Sequence, residues 1–294
     1  MKRPINACAQ LMKALLIMVG AQCFVLGAHA APANADAEQI AQVLDLLGVR
    51  ALIEQTPAIL TPAIEAETQF LGSKPQPANW RRDIEAQLKA PIILQNVTRF
   101  LHERALARKD SPAKANSRSD IFLRVQQRLQ EPIAKRARYF DLAMTQPGAE
   151  KNLRNFLAQN GLGQSDAAAK KSEAAASGDD ARRAVLREID SASSSTLLMA
   201  TLQSAIAARV RQAASGRAVD AALLQDEIAE RQRYLEPLAI DYLAYDYRYL
   251  RDDELHEYRD LLRDDNVQWV LDICYQALLA AIVGELTPLP VKPQ

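Results

Sequence analysis

Hydrophobic residues recur at helical spacing along most of this chain of 294 residues. Ile40, Val43, Leu44 and Leu47, for example, occupy positions i, i+3, i+4 and i+7, which fall on one face of an α-helix. Similar spacing returns further along the chain, and no pair of alternating apolar runs flanks an Asn-Gly or Asp-Gly turn. The pattern therefore predicts an all-α protein. Aromatic residues make up only 5% of the chain, so alanine and leucine supply most of the apolar surface, which suits helix packing.

Proline, glycine and acidic residues divide this pattern into helices. Pro132 predicts a kink or a break, because proline lacks the amide hydrogen that a helix interior needs, and Pro237 predicts a bend for the same reason. Acidic side chains at Asp252 and Asp264 can accept hydrogen bonds from the free amides of a helix start. The predicted helical segments run over 37–47, 49–64, 80–101, 121–144, 149–159, 181–189, 197–213 and 219–250, and two more begin at Asp252 and Asp264.

The segment 161–180 differs in composition from the sequence around it. After Gly161 and Leu162 it consists mostly of Ala, Lys, Ser and Gly, and Leu162 is its one strongly apolar residue. Such a segment buries too little surface to pack firmly, so we expect a flexible connector. The chain is thus predicted to be a multi-helix array in two helical halves, 31–160 and 181–286, followed by a tail at 287–294.

The first thirty residues have the order of a secretory signal peptide. Lys2, Arg3 and Lys13 precede an apolar run that continues to Leu26, and the small-x-small triplet Ala28-His29-Ala30 follows. A membrane anchor is the alternative, but the run is short and contains polar residues. The prediction is a signal peptide at 1–30, cleaved near Ala30, and a periplasmic or secreted mature protein.

Cleavage would leave Cys274 as the one cysteine of the mature chain, because Cys8 and Cys23 lie in the signal peptide. No disulfide within the mature chain is then possible. The apolar surroundings of Cys274 favour a buried free thiol, and an intermolecular bridge or a reactive thiol is the alternative.

The charge balance bears on the class of partner. The chain has 36 basic and 36 acidic residues, and the signal peptide holds three of the basic ones and no acid, so the mature chain carries a net charge of −3. This argues against nucleic acid as a partner. The most apolar later segment, 267–283, is interrupted by polar residues, which favours a core helix and no transmembrane segment after signal cleavage.

The last two predicted helices carry a resemblance to a known family. The chain reads Tyr249-Leu250-Arg251-Asp252-Asp253-Glu254-Leu255, then Tyr258, Leu261-Leu262-Arg263-Asp264 and Trp269. This resembles a family of exported bacterial helical proteins classed as a domain of unknown function. The family pattern combines an acidic helix start containing Glu-Leu, an aromatic helix end and a Ser-Pro-x-Gly turn. Here leucines stand at the helix end, and the turn reads Asp264-Asp265-Asn266-Val267.

An earlier segment, Phe140 to Gly148, also ends a predicted helix on an aromatic-led run and a Pro-Gly turn, and 44–53 followed by 61–64 echoes the opening segment of such proteins. A degenerate internal repeat is one interpretation. The resemblance implies export and a helical fold. It implies no activity, so it assigns no functional residues.

Three tyrosines are the candidate ligand-binding residues. Tyr242, Tyr245 and Tyr249 fall at i, i+3 and i+7 of a predicted helix. Tyrosine combines a flat apolar ring with a hydroxyl group, so the stripe could form a groove for a sugar or a peptide. The favoured interpretation is packing of an amphipathic helix against its neighbours.

Motifs for metal or cofactor chemistry are weak. His256 and Asp260 lie one helical turn apart, but a zinc site needs three or four ligands, and the HExxH pattern is not met. The chain has no Walker loop, dinucleotide fingerprint or Gly-x-Ser-x-Gly motif. We therefore predict no metal site, no cofactor and no catalytic residues.

Two hypotheses for function follow. The first is a non-enzymatic binding or structural module of the cell envelope, whose partner is another envelope protein or polymer. The alternative is a hydrolase that acts on an envelope polymer with acids in the range Asp246–Asp260. If Asp246, Glu254, His256 and Glu257 converge with the tyrosines in one concave pocket, the hydrolase is favoured. If they point separately into solvent, the binding module is favoured.

Overall fold

A computed structural model describes residues 35–72, 76–107, 119–143, 149–159 and 176–284. Within these ranges the protein is built from helices and contains no strand, which confirms the all-α prediction. The helices are α1 (Ala35–Leu46), α2 (Val49–Glu54), α3 (Thr56–Leu71), α4 (Trp80–Gln87), α5 (Ala90–Ala107), α6 (Ser119–Leu129), α7 (Pro132–Ala143), α8 (Ala149–Gln159), α9 (Ala176–Ser193), α10 (Ser195–Ser215), α11 (Ala221–Asp246), α12 (Asp252–Leu262) and α13 (Asp265–Val283).

The helix boundaries follow from local chemistry. The carboxylate of Asp220 accepts hydrogen bonds from the first amides of α11, and that of Asp264 does the same for α13. Gly48 separates α1 from α2 with a φ of 72°, a left-handed conformation that glycine adopts without steric cost. Pro132 breaks the predicted 121–144 helix into α6 and α7, whereas Pro237 is accommodated inside α11.

Helix α10 lies at the centre of the packing. It contacts α3, α4, α11 and α13, and Leu202 and Ile206 on it are completely buried. Around it, α13 packs on α5, α1 packs on α6, and α9 packs on α12. Helices of the two predicted halves therefore share one continuous cluster of buried hydrophobic side chains. An amphipathic helix must bury its apolar face, and here the helices of each half pack their apolar faces against helices of the other half.

Several sequence predictions concern residues outside the described ranges. These are the signal peptide at 1–30, the turn at the end of the Phe140 to Gly148 segment, most of the connector at 161–180 and the tail at 287–294. Residues 176–180 of the predicted connector belong to α9. The internal repeat stays a prediction.

Helix α13 is the one described helix with the length and composition of a membrane span, with a mean hydropathy of 1.4. In the fold, 44% of that window is buried inside the protein. Val267, Val270 and Leu278 are fully buried in the core, and so is Cys274. The expectation of a buried free thiol is thus confirmed, and burial raises the pKa of the Cys274 thiol to about 12.

Candidate ligand-binding site

The end of α11 positions the side chains of the candidate site. The helix ends at Asp246, and Tyr247 follows it, with its amide donating to the carbonyl oxygen of Leu243 at 2.9 Å. From α9, the Arg182 guanidinium donates to the carbonyl oxygens of Tyr247 and Leu250 at 2.7 and 2.8 Å. These hydrogen bonds fix the turn between α11 and α12 and thereby orient Asp246 and Tyr247 at its start.

A cavity of about 150 Å³ lies beside this turn. Its walls come from α7, the α9–α10 junction, α11, α12 and the turn after α1. Leucine, isoleucine, alanine and methionine supply the apolar part of the lining. The polar and aromatic lining residues are Arg138, Asp141, Asp190, Ser193, Ser195, Thr196, Tyr242, Asp246, Tyr247 and Tyr258.

Asp246 is the unusual residue of this cavity. It is only 1% exposed, and neither oxygen of its carboxyl group accepts a hydrogen bond from any residue in the part of the chain that the structure describes. Burial raises the pKa of Asp246 well above its ordinary value, and the charge of Asp141 raises it further, whereas the positive charge of Arg248 lowers it by a smaller amount. A buried carboxylate without a partner is costly, so the group favours the protonated form until donors or a positive charge reach it.

Other buried carboxylates in the described ranges do have partners. The hydroxyl and amide of Thr196 donate to Asp190 at 2.7 and 3.3 Å. Arg183 forms an ion pair with Asp241 at 2.8 Å. The Glu254 carboxylate accepts a hydrogen bond from the backbone amide of Arg251 at 2.9 Å and forms an ion pair with Arg136 of α7. The contrast shows that the fold satisfies its buried acids elsewhere and leaves Asp246 facing the cavity.

Asp141, on α7, is the second acid of the cavity that interacts with Asp246. The Tyr247 hydroxyl donates a hydrogen bond to it, and the nearby Arg138 guanidinium attracts it. Burial outweighs both effects and raises the pKa of Asp141 to about 7. At neutral pH the two carboxyl groups therefore hold at least part of one proton between them, as close acid pairs do.

Two tyrosines frame the acid pair. The rings of Tyr247 and Tyr258 meet edge to face, with centroids 5.8 Å apart, and their hydroxyl groups hydrogen-bond. Burial raises the pKa of both hydroxyl groups, so both remain protonated donors at physiological pH. Arg138 uses its guanidinium to donate to carbonyl oxygens of α6 and α7, which holds it in place beside the acids.

The predicted tyrosine stripe does not form one groove. Tyr242 is 5% exposed and lines the cavity. Tyr245 is 7% exposed and packs edge to face on Phe156, with ring centroids 5.2 Å apart. Tyr249 is 63% exposed. The sequence pattern predicts a helix to residue 250, but α11 ends at Asp246. Helical spacing therefore does not place Tyr249 on the same face as Tyr242 and Tyr245.

The predicted acids of the Asp246–Asp260 range also separate. Asp246 enters the cavity with Tyr242, whereas Glu254 is buried in an ion pair and His256 and Glu257 are exposed. Sequence reasoning missed Asp141, which the fold brings to Asp246 from a distant helix. A usable signal was present, because Asp141 stands four residues after the buried Ala137 on the apolar face of its helix.

Among the described residues, no three His, Cys, Asp or Glu side chains are grouped so as to hold a metal ion. Comparisons with models of protein families, with curated proteins and with solved structures find no match for this chain. The resemblance of the C-terminal helix pair to an exported family stays a prediction.

Proposed function

We propose that the protein is an exported, non-enzymatic binding protein that holds a small polar ligand in the cavity beside the end of α11. The observation that carries the proposal is Asp246, a fully buried carboxyl group with no hydrogen-bond partner among the described residues. Export rests on the signal-peptide pattern of residues 1–30.

The unpartnered carboxyl group of Asp246 destabilises the fold. Leaving a buried polar group unsatisfied costs about 1–3 kcal/mol, and more if the group is charged. Buried polar groups without a hydrogen-bond partner are rare in native proteins, and many of those that occur have a functional role. A ligand whose donors reach Asp246 would remove the cost, and a cavity already lies in front of the carboxyl group.

The size of the cavity favours binding over polymer hydrolysis. About 150 Å³ accommodates a molecule of about six non-hydrogen atoms, the size of benzene. A polymer hydrolase needs an open cleft with two acids on either side of the bond that breaks. The surface acids Asp252, Asp253 and Asp260 are instead paired with arginines. We further propose that the outer surface of the protein binds another envelope protein or an envelope polymer.

The proposal is tested by thermal unfolding of the mature chain in the presence of small compounds. The compounds have up to about six non-hydrogen atoms and are neutral, cationic or anionic. A ligand present at about 100 times its Kd stabilises the fold by about 2.7 kcal/mol, which raises Tm by several degrees. We expect at least one compound to do so.

Two substitutions connect such a Tm increase to the cavity. Ala239→Leu fills part of the cavity, and Asp246→Asn removes the carboxylate, so each should abolish the increase. Ala222→Leu, on an exposed position of the same helix, should leave it intact. If no compound raises Tm, or if the increase survives both cavity substitutions, the proposal is wrong.

A further inference from the structure

We infer that the ligand of this cavity is a small organic cation, a primary ammonium group on a short alkyl chain. Its N–H groups donate hydrogen bonds to Asp246, and the negative charge of Asp141 also attracts the ammonium group. The inference rests on the proposed function and names its ligand class. It is carried by the geometry of the cavity, by the buried unpartnered carboxyl group and by the charges around it.

The hydrogen-bonding capacity of Asp246 selects a ligand with several donors. An ionised carboxylate accepts at two oxygens with about four lone-pair directions and donates nothing. A primary ammonium group has three N–H donors, whereas an alcohol has one. Charge-assisted bonds of this kind are about twice as strong as neutral ones. An ammonium group therefore satisfies both oxygens of Asp246, and a hydroxyl group satisfies one at most.

The charged groups facing the cavity also favour a cation. Asp141 and Arg138 face it from α7, Asp190 from α9 and Asp246 from the end of α11. Among the lining residues three acids thus oppose one cation, and Arg138 donates to backbone carbonyl oxygens. Arg248, outside the lining, adds a second positive charge near Asp246 and donates to the carbonyl oxygen of Tyr245. The potential inside the cavity is negative once the acids ionise, so an anionic ligand is disfavoured.

The remaining lining fits the two ends of such a ligand. Tyr242, Tyr247 and Tyr258 contribute aromatic rings close to the acids, and the faces of such rings attract cations. Leu235 and Met199 belong to the apolar part of the lining, which suits a short alkyl chain. A chain of about four carbons with its ammonium group stays within the size set by the cavity volume.

Binding of a cation must be linked to release of a proton. Without ligand, the acid pair retains a proton near neutral pH, because burial raises the pKa of both carboxyl groups. A bound ammonium group stabilises the ionised form and lowers these pKa values, so the proton leaves as the ligand enters. The affinity should therefore rise with pH, by up to about tenfold per pH unit below the pKa of the pair.

Titration calorimetry of the mature protein with n-butylammonium chloride tests the inference, with butan-1-ol and sodium butyrate as neutral and anionic counterparts. Titrations at pH 6, 7 and 8 in phosphate and in MOPS buffer, which differ in ionisation enthalpy, report proton release. We expect butylammonium to bind at least about tenfold more tightly than butanol, more tightly at pH 8 than at pH 6, and with net proton release. Butyrate should not bind.

Substitutions locate the effect. Asp246→Asn should weaken butylammonium binding by about 30-fold or more, the consequence of losing one partner of a buried charge pair. Asp226→Asn, on an exposed position of α11, should not change it. Equal binding of butanol and butylammonium, or binding without proton release, would overturn the ammonium inference and leave the proposed function standing. If butylammonium fails to bind while another compound of the thermal screen does, the inference is wrong and the proposed function holds. If nothing binds in either experiment, both are wrong.

Discussion

Asp141 provides a quantitative test of the acid pair, because its pKa in the fold is about 7, against an ordinary value of 3.8. A group whose pKa is raised by folding binds more protons in the folded state between these two values. Stability must then fall as pH rises through that window. At about 1.36 kcal/mol per pH unit, the loss attributable to Asp141 is about 4 kcal/mol between pH 4 and pH 8.

The informative substitution is Asp141→Asn. The asparagine side-chain oxygen can still accept the Tyr247 hydroxyl hydrogen bond, but the side chain no longer ionises. We expect the variant and the wild type to have similar free energies of unfolding at pH 4. At pH 8 the variant should be more stable by about 4 kcal/mol. Since Asp141 also raises the pKa of Asp246, part of that second contribution disappears with it.

Urea unfolding followed by far-ultraviolet circular dichroism measures this difference, because the fold is helical and gives a strong signal. Profiles are recorded between pH 4 and pH 8 for the wild type, for Asp141→Asn and for the exposed control Asp226→Asn. The control should follow the wild type. If Asp141→Asn also runs parallel to the wild type across this range, folding does not raise the pKa of Asp141, and Asp141 and Asp246 do not form an acid pair.

Three further predictions concern other parts of the chain. Intact-mass measurement should show that the exported protein begins at Ala31. Ala30→Phe should leave the precursor uncleaved, because the cleavage site requires a small residue, and cleavage of the variant at the same site would contradict this. Cys274 should resist iodoacetamide at pH 8 in the folded protein, since a pKa of about 12 leaves on the order of one thiolate in ten thousand, and should react after unfolding; equal rates in both states would refute burial. Arg182→Ala should lower the free energy of unfolding by about 2 kcal/mol in urea titrations, because the carbonyl oxygens of Tyr247 and Leu250 lose a charged donor; an unchanged midpoint would show that this turn does not depend on the arginine.

The fold could be predicted from sequence because its determinants are local. Helical spacing of apolar residues and the chemistry of helix ends act within a few residues of each other. Asp264 caps α13 and Pro132 separates α6 from α7, as the sequence indicated. The sequence predicts the end of α11 four residues too late, because the segment to Leu250 keeps an apolar pattern although the helix ends at Asp246. That difference removes Tyr249 from the predicted stripe.

The acid pair could not be predicted because it is assembled by tertiary packing. Asp141 and Asp246 are distant in sequence, and α7 reaches α11 and α12 only when the two halves pack together. Each acid does stand four residues after a buried side chain, Ala137 for Asp141 and Tyr242 for Asp246. An acid on the apolar face of a helix is therefore the sequence feature that points to such a site, but its partner becomes known only from the fold.

A crystal structure of the mature protein soaked with n-butylammonium at pH 8 tests most directly whether Asp246 accepts hydrogen bonds from a ligand in the cavity. We expect the ammonium nitrogen inside the cavity at about 2.7–2.9 Å from a carboxylate oxygen of Asp246. A cavity that holds only water molecules bonded to Asp246, or an amine bound elsewhere on the protein, would contradict this expectation.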